Sequence, residues 1–145
     1  MKVRAAESSD IPTVLAIQAG WPSLPAWTEK QFREELGSAR SVFAVIEDEG
    51  RVSGYGIFLR APEEARIVMV AVARGRAGHG LGRLLLSRLI DDARASGCRT
   101  ATLEVSAVNT AAARLYASSG FRVVGRRQKF YNDGSDAVLM DLKLR

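Results

Sequence analysis

Cysteine and histidine are almost absent from this chain of 145 residues: Cys98 and His79 are the single examples. A lone cysteine excludes an internal disulfide framework and a cysteine-rich metal site. One histidine argues against a histidine-based zinc centre, so no metal is expected. No apolar run reaches the roughly 20 residues of a membrane span. The first residues carry no secretory apolar region. Repeats, linkers and low-complexity tracts are missing as well. These absences predict a soluble, cytoplasmic protein without a membrane partner, residues 1–145 forming one domain with its own core.

Polar and apolar residues are balanced, at 47% hydrophobic and 26% charged, as in globular proteins. The 21 basic and 16 acidic residues leave a net charge of +5. The densest basic cluster, Arg126-Arg127-Gln128-Lys129, has no interleaved aromatics. A basic balance alone constrains partners weakly, and direct nucleic-acid binding is not expected.

The stretch from Arg66 to Glu104 organises the rest. Ile67 to Val72 is a short, β-branched apolar run of strand type. A loop with Gly75, Gly78, Gly80 and Gly82 follows. Gly82, Leu85, Leu86, Leu89, Ile90 and Ala93 then recur at helical spacing, and Gly97 is placed to stop that helix. Thr100 to Ser106 reads as a second strand and carries Glu104. A tight turn would need one glycine, not four. Glycines admit close backbone approach, and a helix start presents unpaired N–H groups and a positive dipole end. The pattern therefore points to a phosphate or pyrophosphate ligand, with Arg74, Arg76 and Arg83 near it. The triphosphate-loop pattern fails, because no Gly-Lys pair exists. The dinucleotide pattern nearly fits, but from Gly78 the third glycine comes one place early, and too little chain follows Glu104.

Met1 to Ala6 reads as a strand. Ser9-Asp10 and Pro12 open a helix with Ile11, Val14, Leu15 and Ile17 on its apolar face, broken by Trp21-Pro22-Ser23-Leu24-Pro25. Thr28 and Gln31 form a capping box for a second helix ending at Gly37. Ser41–Glu47 and Val52–Leu59 form a hairpin. Asn109 caps a helix over Thr110–Ser119, ended by Gly120. Phe121–Gln128 and Ala137–Leu144 make a last hairpin. The order β α α β β β α β α β β predicts an α/β fold with a mixed, mostly antiparallel central sheet flanked by helices. Trp21 and Trp27 read either as core or as a wall facing a substrate.

Several stretches together carry a family resemblance. They are Pro25-Ala26-Trp27-Thr28-Glu29; Gly78-His79-Gly80-Leu81-Gly82-Arg83; Leu103-Glu104-Val105 with Asn109, Ala112, Leu115-Tyr116 and Gly120-Phe121; and Gly125-Arg126-Arg127 with Phe130-Tyr131, Asp136-Ala137 and Met140. The chain resembles a GNAT domain (general N-acetyltransferases), and within it the RimI-like ribosomal-protein-alanine N-acetyltransferases. Gly80-Leu81-Gly82 supply half of the family's [QR]-x-x-G-x-[GA] loop. Ala77 stands at its usual Gln/Arg position, Phe130 where Tyr is usual, and Ser135 where Glu is usual.

The resemblance implies acetyl-CoA as cosubstrate and a protein N-terminus, possibly that of a ribosomal protein, as partner. Gly78, His79, Gly80, Leu81, Gly82 and Arg83 would hold its phosphates. The backbone of Val70, Ala71 and Val72 would pair with the pantetheine arm, and Asn109 would contact it. Acetyl transfer needs a neutral amine, a polarised thioester and a proton for the leaving thiolate. Glu104 can take the amine proton, directly or through water; otherwise it is a surface carboxylate. Tyr116, two turns from Asn109 on the same helix face, can protonate the thiolate; otherwise it is a core aromatic. Trp27, Tyr131 and Asp136 would contact the acceptor. Three other readings stand beside this one: a catalytically silent acetyl-CoA-binding domain, a nucleotide-binding module, and an acetyltransferase for small-molecule amines.

Overall fold

The computed structural model describes residues 1–22, 24 and 26–145. Ser23 and Pro25, which belong to the expected helix break, and in the case of Pro25 to the family resemblance, lie outside the described residues. In chain order the elements are β1 (Lys2–Ala5), α1 (Ile11–Ala19), α2 (Glu29–Leu36), β2 (Ser41–Asp48), β3 (Arg51–Ala61), β4 (Glu64–Val72), α3 (Leu81–Ala95), β5 (Thr100–Ser106), α4 (Thr110–Ser118), β6 (Arg122–Arg127) and β7 (Ala137–Lys143). Short 3₁₀ turns at Ser8–Asp10 and Arg74–Arg76 precede α1 and α3. The order is the one the sequence predicts.

Local chemistry explains most boundaries. Thr28 and Gln31 cap α2 reciprocally, at 3.1 and 2.8 Å. At the end of α3, Gly97 takes φ +86°. The Cys98 N–H reaches the Ala93 carbonyl and the Gly97 N–H that of Arg94, at 3.1 and 3.0 Å, closing a Schellman turn. Gly120 closes α4 in the same way, and Asn109 caps its start by accepting the Ala112 N–H at 3.2 Å. Gly37 ends α2 as expected, in a right-handed conformation, φ −90°. One expectation needs correction: the Asp10 side chain does not cap α1, because its carboxylate is taken by Arg4 and by the Glu7 N–H.

The seven strands form one sheet in the order β1-β2-β3-β4-β5-β7-β6. β4 and β5 are parallel, and the other neighbours are antiparallel. Each face carries its own core. On one face, Leu85, Leu86 and Leu89 of α3 pack with Phe58, Leu103 and Tyr116. On the other, Ile11 and Val14 of α1 and Phe32 of α2 pack with Tyr55, Ile57 and Met69. Gly56 lets α3 lie close on β3: a Cβ there would stand 2.7 Å from Leu89 Cδ1.

One irregularity positions the site. Ile57 pairs with Met69, but its neighbour Phe58 pairs with Ile67, so Val68 is an extra residue in β4. Such a bulge bends its strand and resets the side-chain alternation. Ala65 and Ile67 accordingly enter one core, whereas Met69 and Ala71 enter the other. The ladder to β5 ends at the same place, with Ile67 opposite Leu103. Beyond it the two parallel strands part, and a cleft opens between Val68–Val72 and Glu104–Ser106.

Candidate active site

The cleft leaves an unpaired strand edge. The Ala73 N–H donates to Ser53 O on β3 at 2.8 Å. In an antiparallel ladder the direction of the backbone groups alternates. Ala71, opposite Tyr55, therefore also turns its backbone to β3, and Val70 and Val72 turn theirs into the cleft. Of the three residues expected to pair with an extended ligand, Val70 and Val72 hold the free edge, and Ala71 does not. One group on that edge is already engaged: the Trp21 indole N–H donates to the Val72 carbonyl at 2.6 Å.

Past Val72 the glycine loop turns into α3. Gly78 and Gly80 both take φ +82°, and Gly80 occupies the N-cap of α3 without a side-chain cap. The first N–H groups of that helix thus lack intrahelical partners and face an open groove, a standard anion-binding arrangement. A groove of about 520 Å³ runs along Val70–Val72, past Gly78, Gly80, Gly82 and Arg83, to Asn109 and Leu115 of α4. The approach of α3 to α4 is close, because a Cβ on Gly82 would stand 3.3 Å from Leu115 Cδ2. Arg83 makes no ion pair among the described residues. Arg76 is committed to Asp48 and Glu49, at 3.3 and 3.0 Å. The Arg74 guanidinium stacks on Trp21, 4.3 Å from the ring centre. His79 is exposed and does not line the groove; its Nδ1 lies 3.1 and 3.0 Å from the carbonyls of Arg76 and Ala77 and steadies the turn.

At its inner end the groove meets a smaller cavity of about 80 Å³, bounded by Val70, Glu104, Asn109, Tyr116, Tyr131 and Leu24. Leu24, Val70, Asn109 and Ala112 line both spaces. Here the sheet, α4 and the β6–β7 loop converge. Asn109 uses its side-chain oxygen on α4, which leaves its amide N–H donors for a ligand. Tyr116 is buried, and burial, seconded by Tyr131, pushes its hydroxyl pKa up to about 12. It therefore keeps its proton at neutral pH. Burial also raises Tyr131, with smaller contributions from Glu104 and Asp133. The Glu104 side chain is 19% exposed and meets Arg66 at 3.3 Å. A carboxylate and a protonated phenol thus face one small space at the end of a phosphate-compatible groove. That arrangement accommodates acid–base chemistry on a thioester and an amine.

Two expected acceptor contacts stand elsewhere. The Trp27 ring packs on Phe32 with centroids 5.4 Å apart, and its backbone is held by the Gln18 side chain. Asp136 accepts the Lys129 N–H at 3.0 Å and pairs with Arg126 at 3.3 Å. It closes the β6–β7 loop instead of lining the cavity. The same loop is tied to β5 through Ser135 and Ser106, 2.9 Å apart. Leu24 was not foreseen as a site residue. Its only sequence signal is a position in the break between two amphipathic helices, beside Trp21.

Comparison with known proteins identifies the family and the fold. The model of the acetyltransferase (GNAT) family matches residues 10–121. The [ribosomal protein bS18]-alanine N-acetyltransferase of Escherichia coli (strain K12) is 33% identical over 145 aligned residues, covering 98% of this chain and 97% of that protein. The N-alpha-acetyltransferase RimI of Mycobacterium tuberculosis (strain ATCC 25618 / H37Rv) is 34% identical, covering 79% and 73%. Among solved structures, the ribosomal-protein-S18-alanine N-acetyltransferase from Escherichia coli superposes with a TM-score of 0.89 at 32% identity, covering 99% and 93%. The yncA protein from Salmonella typhimurium, solved with its cofactor acetyl-CoA, gives 0.88 at 27% identity, covering 100% and 94%.

Proposed function

The chain belongs to the acetyltransferase (GNAT) family, and from that premise we propose that it transfers acetyl from acetyl-CoA to the N-terminal α-amine of a protein, an N-terminal alanine of a ribosomal protein in the first instance. The observation that carries this reading is the meeting of Glu104 and Tyr116 at one cavity, where the groove along Val70 and Val72 ends. The alanine and the ribosomal protein come from the names of relatives that align with nearly the whole chain.

The residues present fit acetyl-CoA. The α3 N-terminus and the left-handed glycines 78 and 80 offer backbone donors to a pyrophosphate. Val70 and Val72 offer a strand edge to the two amides of its arm. When bound, the cosubstrate supplies an acetyl group activated as a thioester. Glu104 accepts a proton from the incoming amine, directly or through one water. A Val70 or Val72 N–H polarises the carbonyl. The N–C bond forms and the C–S bond breaks; Tyr116 gives its proton to the sulfur and recovers one from solvent.

An α-amine suits this machinery. Its reference pKa is about 7.7–8.0, against about 10.4 for lysine, so a single carboxylate suffices near neutral pH. The deciding experiment is a competition for acetyl-CoA between a peptide with a free N-terminal alanine and its N-blocked, lysine-containing twin. The free peptide should be acetylated first. Preference for the blocked twin, or acetylation of neither, would overturn the proposal.

A further inference from the structure

We propose that Leu24, held in place by Trp21, is the residue that restricts the transferred acyl group to two carbons. The inference rests on the acyl-transfer reading above and extends it to the choice of acyl donor.

Leu24 belongs to the connection between α1 and α2, on neither the sheet nor the glycine loop, yet it reaches the site. It lines both the long groove and the small cavity where Glu104 and Tyr116 meet. A thioester whose arm lay along Val70 and Val72 would bring its acyl carbon to that junction. The cavity is narrow, about 80 Å³ against about 520 Å³ for the groove that leads into it. An acetyl group has three heavy atoms. A longer chain must displace Leu24, press on the packed side chains of β4, or grow past Glu104 and Tyr131 into the space the amine needs. Leu24 is the readiest of these to change, because it comes from a connecting segment rather than from a strand or helix.

Leu24 and Trp21 are nevertheless fastened. The Leu24 N–H donates to Trp21 O at 3.0 Å, and the Trp21 N–H to Gln18 O at 3.0 Å. The Trp21 indole N–H donates to Val72 O at 2.6 Å. Arg74 covers the indole at 4.3 Å and donates from its Nε to Gly20 O. Trp21 is thus pinned to the same strand edge that the arm would use, so the position of Leu24 is referenced to β4 itself. Trp21 is a positioning residue here, and Leu24 the specificity residue.

The test measures kcat/KM for acetyl-CoA, propionyl-CoA and butyryl-CoA by thiol release with a free N-terminal alanine peptide. It uses the wild type, Leu24→Ala, Leu24→Phe and Trp21→Phe. One methylene in an apolar pocket discriminates by roughly 10- to 200-fold. The wild type should favour acetyl-CoA, and Leu24→Ala should shift the propionyl-to-acetyl ratio upward by at least about 10-fold. Leu24→Phe should shift it downward. Trp21→Phe, which keeps a ring but loses the donor, should move it upward by less. A variant that merely folds poorly lowers all rates and leaves the ratio alone. A ratio for Leu24→Ala within about two-fold of wild type overturns the inference, since such a change is far below the value of a methylene. So does a variant that alters only the preference for the acceptor's first residue. Failure of the wild type to use any acyl-CoA would instead overturn the transferase reading beneath it.

Discussion

Tyr116 and Phe121 meet edge to face, with ring centroids 5.9 Å apart and planes inclined by 64°. The Phe121 N–H closes the same turn on the Tyr116 carbonyl at 3.1 Å. The end of α4 and the start of β6 therefore hold one ring against the other and fix the tyrosine hydroxyl at the small cavity. Tyr116→Phe keeps that packing and removes only the hydroxyl. Turnover should fall by roughly 10²–10⁴-fold, the usual contribution of a general acid. Affinity for acetyl-CoA in calorimetry should hardly change. Turnover within a few-fold of wild type would show that the hydroxyl is not the acid. Because the Tyr116 pKa is pushed up to about 12, its deprotonation should not produce an alkaline fall in rate until well above about pH 10, where ordinary tyrosines ionise.

Glu104→Gln should depress turnover near neutral pH by a comparable roughly 10²–10⁴-fold and leave acetyl-CoA binding intact. The deficit should narrow as pH rises beyond about 8, because the free α-amine then loses its proton without help. Steady-state rates of both proteins across that range provide the check. A constant deficit would mean that Glu104 orients the acceptor rather than taking its proton.

Gly80 separates backbone strain from ligand electrostatics. It sits at φ +82° and nothing lies within 4 Å of a Cβ built there. Alanine in that conformation costs roughly 1–2 kcal/mol, whereas aspartate visits it more readily. Gly80→Ala should therefore lower the thermal midpoint more than Gly80→Asp. Binding should rank the other way: Gly80→Asp sets a carboxylate against phosphate and should abolish acetyl-CoA binding, whereas Gly80→Ala retains it in part. Parallel calorimetry and thermal melts on both variants give the answer. Equal affinity for Gly80→Asp and wild type would remove the loop from the cofactor site.

Features written in local chemistry were legible in the sequence. The capping box at Thr28 and Gln31, the Schellman glycines 97 and 120, the Asn109 cap and the buried stripe of α3 all follow from residues within one or two turns of each other. Asn109 and Tyr116 could be set on one helix face from their spacing; that Glu104 joins them was implied by the family resemblance. The bulge at Val68 could not be foreseen. Ile67 to Val72 is apolar at every position, so a reversal of faces leaves no break in the pattern. Nor could the partners of Trp21 and Asp136 be read. Trp21 finds Val72 across 51 positions. Asp136 meets Arg126 across the β6–β7 hairpin, whose pairing carries a register shift at Val123/Gly125. Residue type predicts that a polar atom needs a partner; tertiary packing decides which one.

The same limit applies to Asp10, expected to cap a helix and found in a part-buried ion pair. Arg4 reaches its two oxygens at 2.8 and 3.0 Å, and also Glu47 at 2.7 Å, so β1, β2 and the start of α1 are tied at one point. The Arg4 hydrogen bonds hold the Asp10 carboxyl below its usual pKa, against an opposing effect of burial and with help from the Glu7 N–H. A carboxylate whose pKa is lower folded than unfolded binds fewer protons in the native state. Its stabilisation is complete above the unfolded pKa, near ~3.9, and disappears as pH falls through the folded value. Asp10→Ala should therefore cost about 1–2 kcal/mol at neutral pH, between the values for exposed and fully buried pairs, since Arg4 stays partly exposed and keeps Glu47. Below about pH 4 the gap between variant and wild type should shrink, because the wild type is then losing the same interaction by protonation. Urea midpoints measured down that range test both parts. A gap that stayed constant into acid would mean that Asp10 contributes through packing and not through its charge.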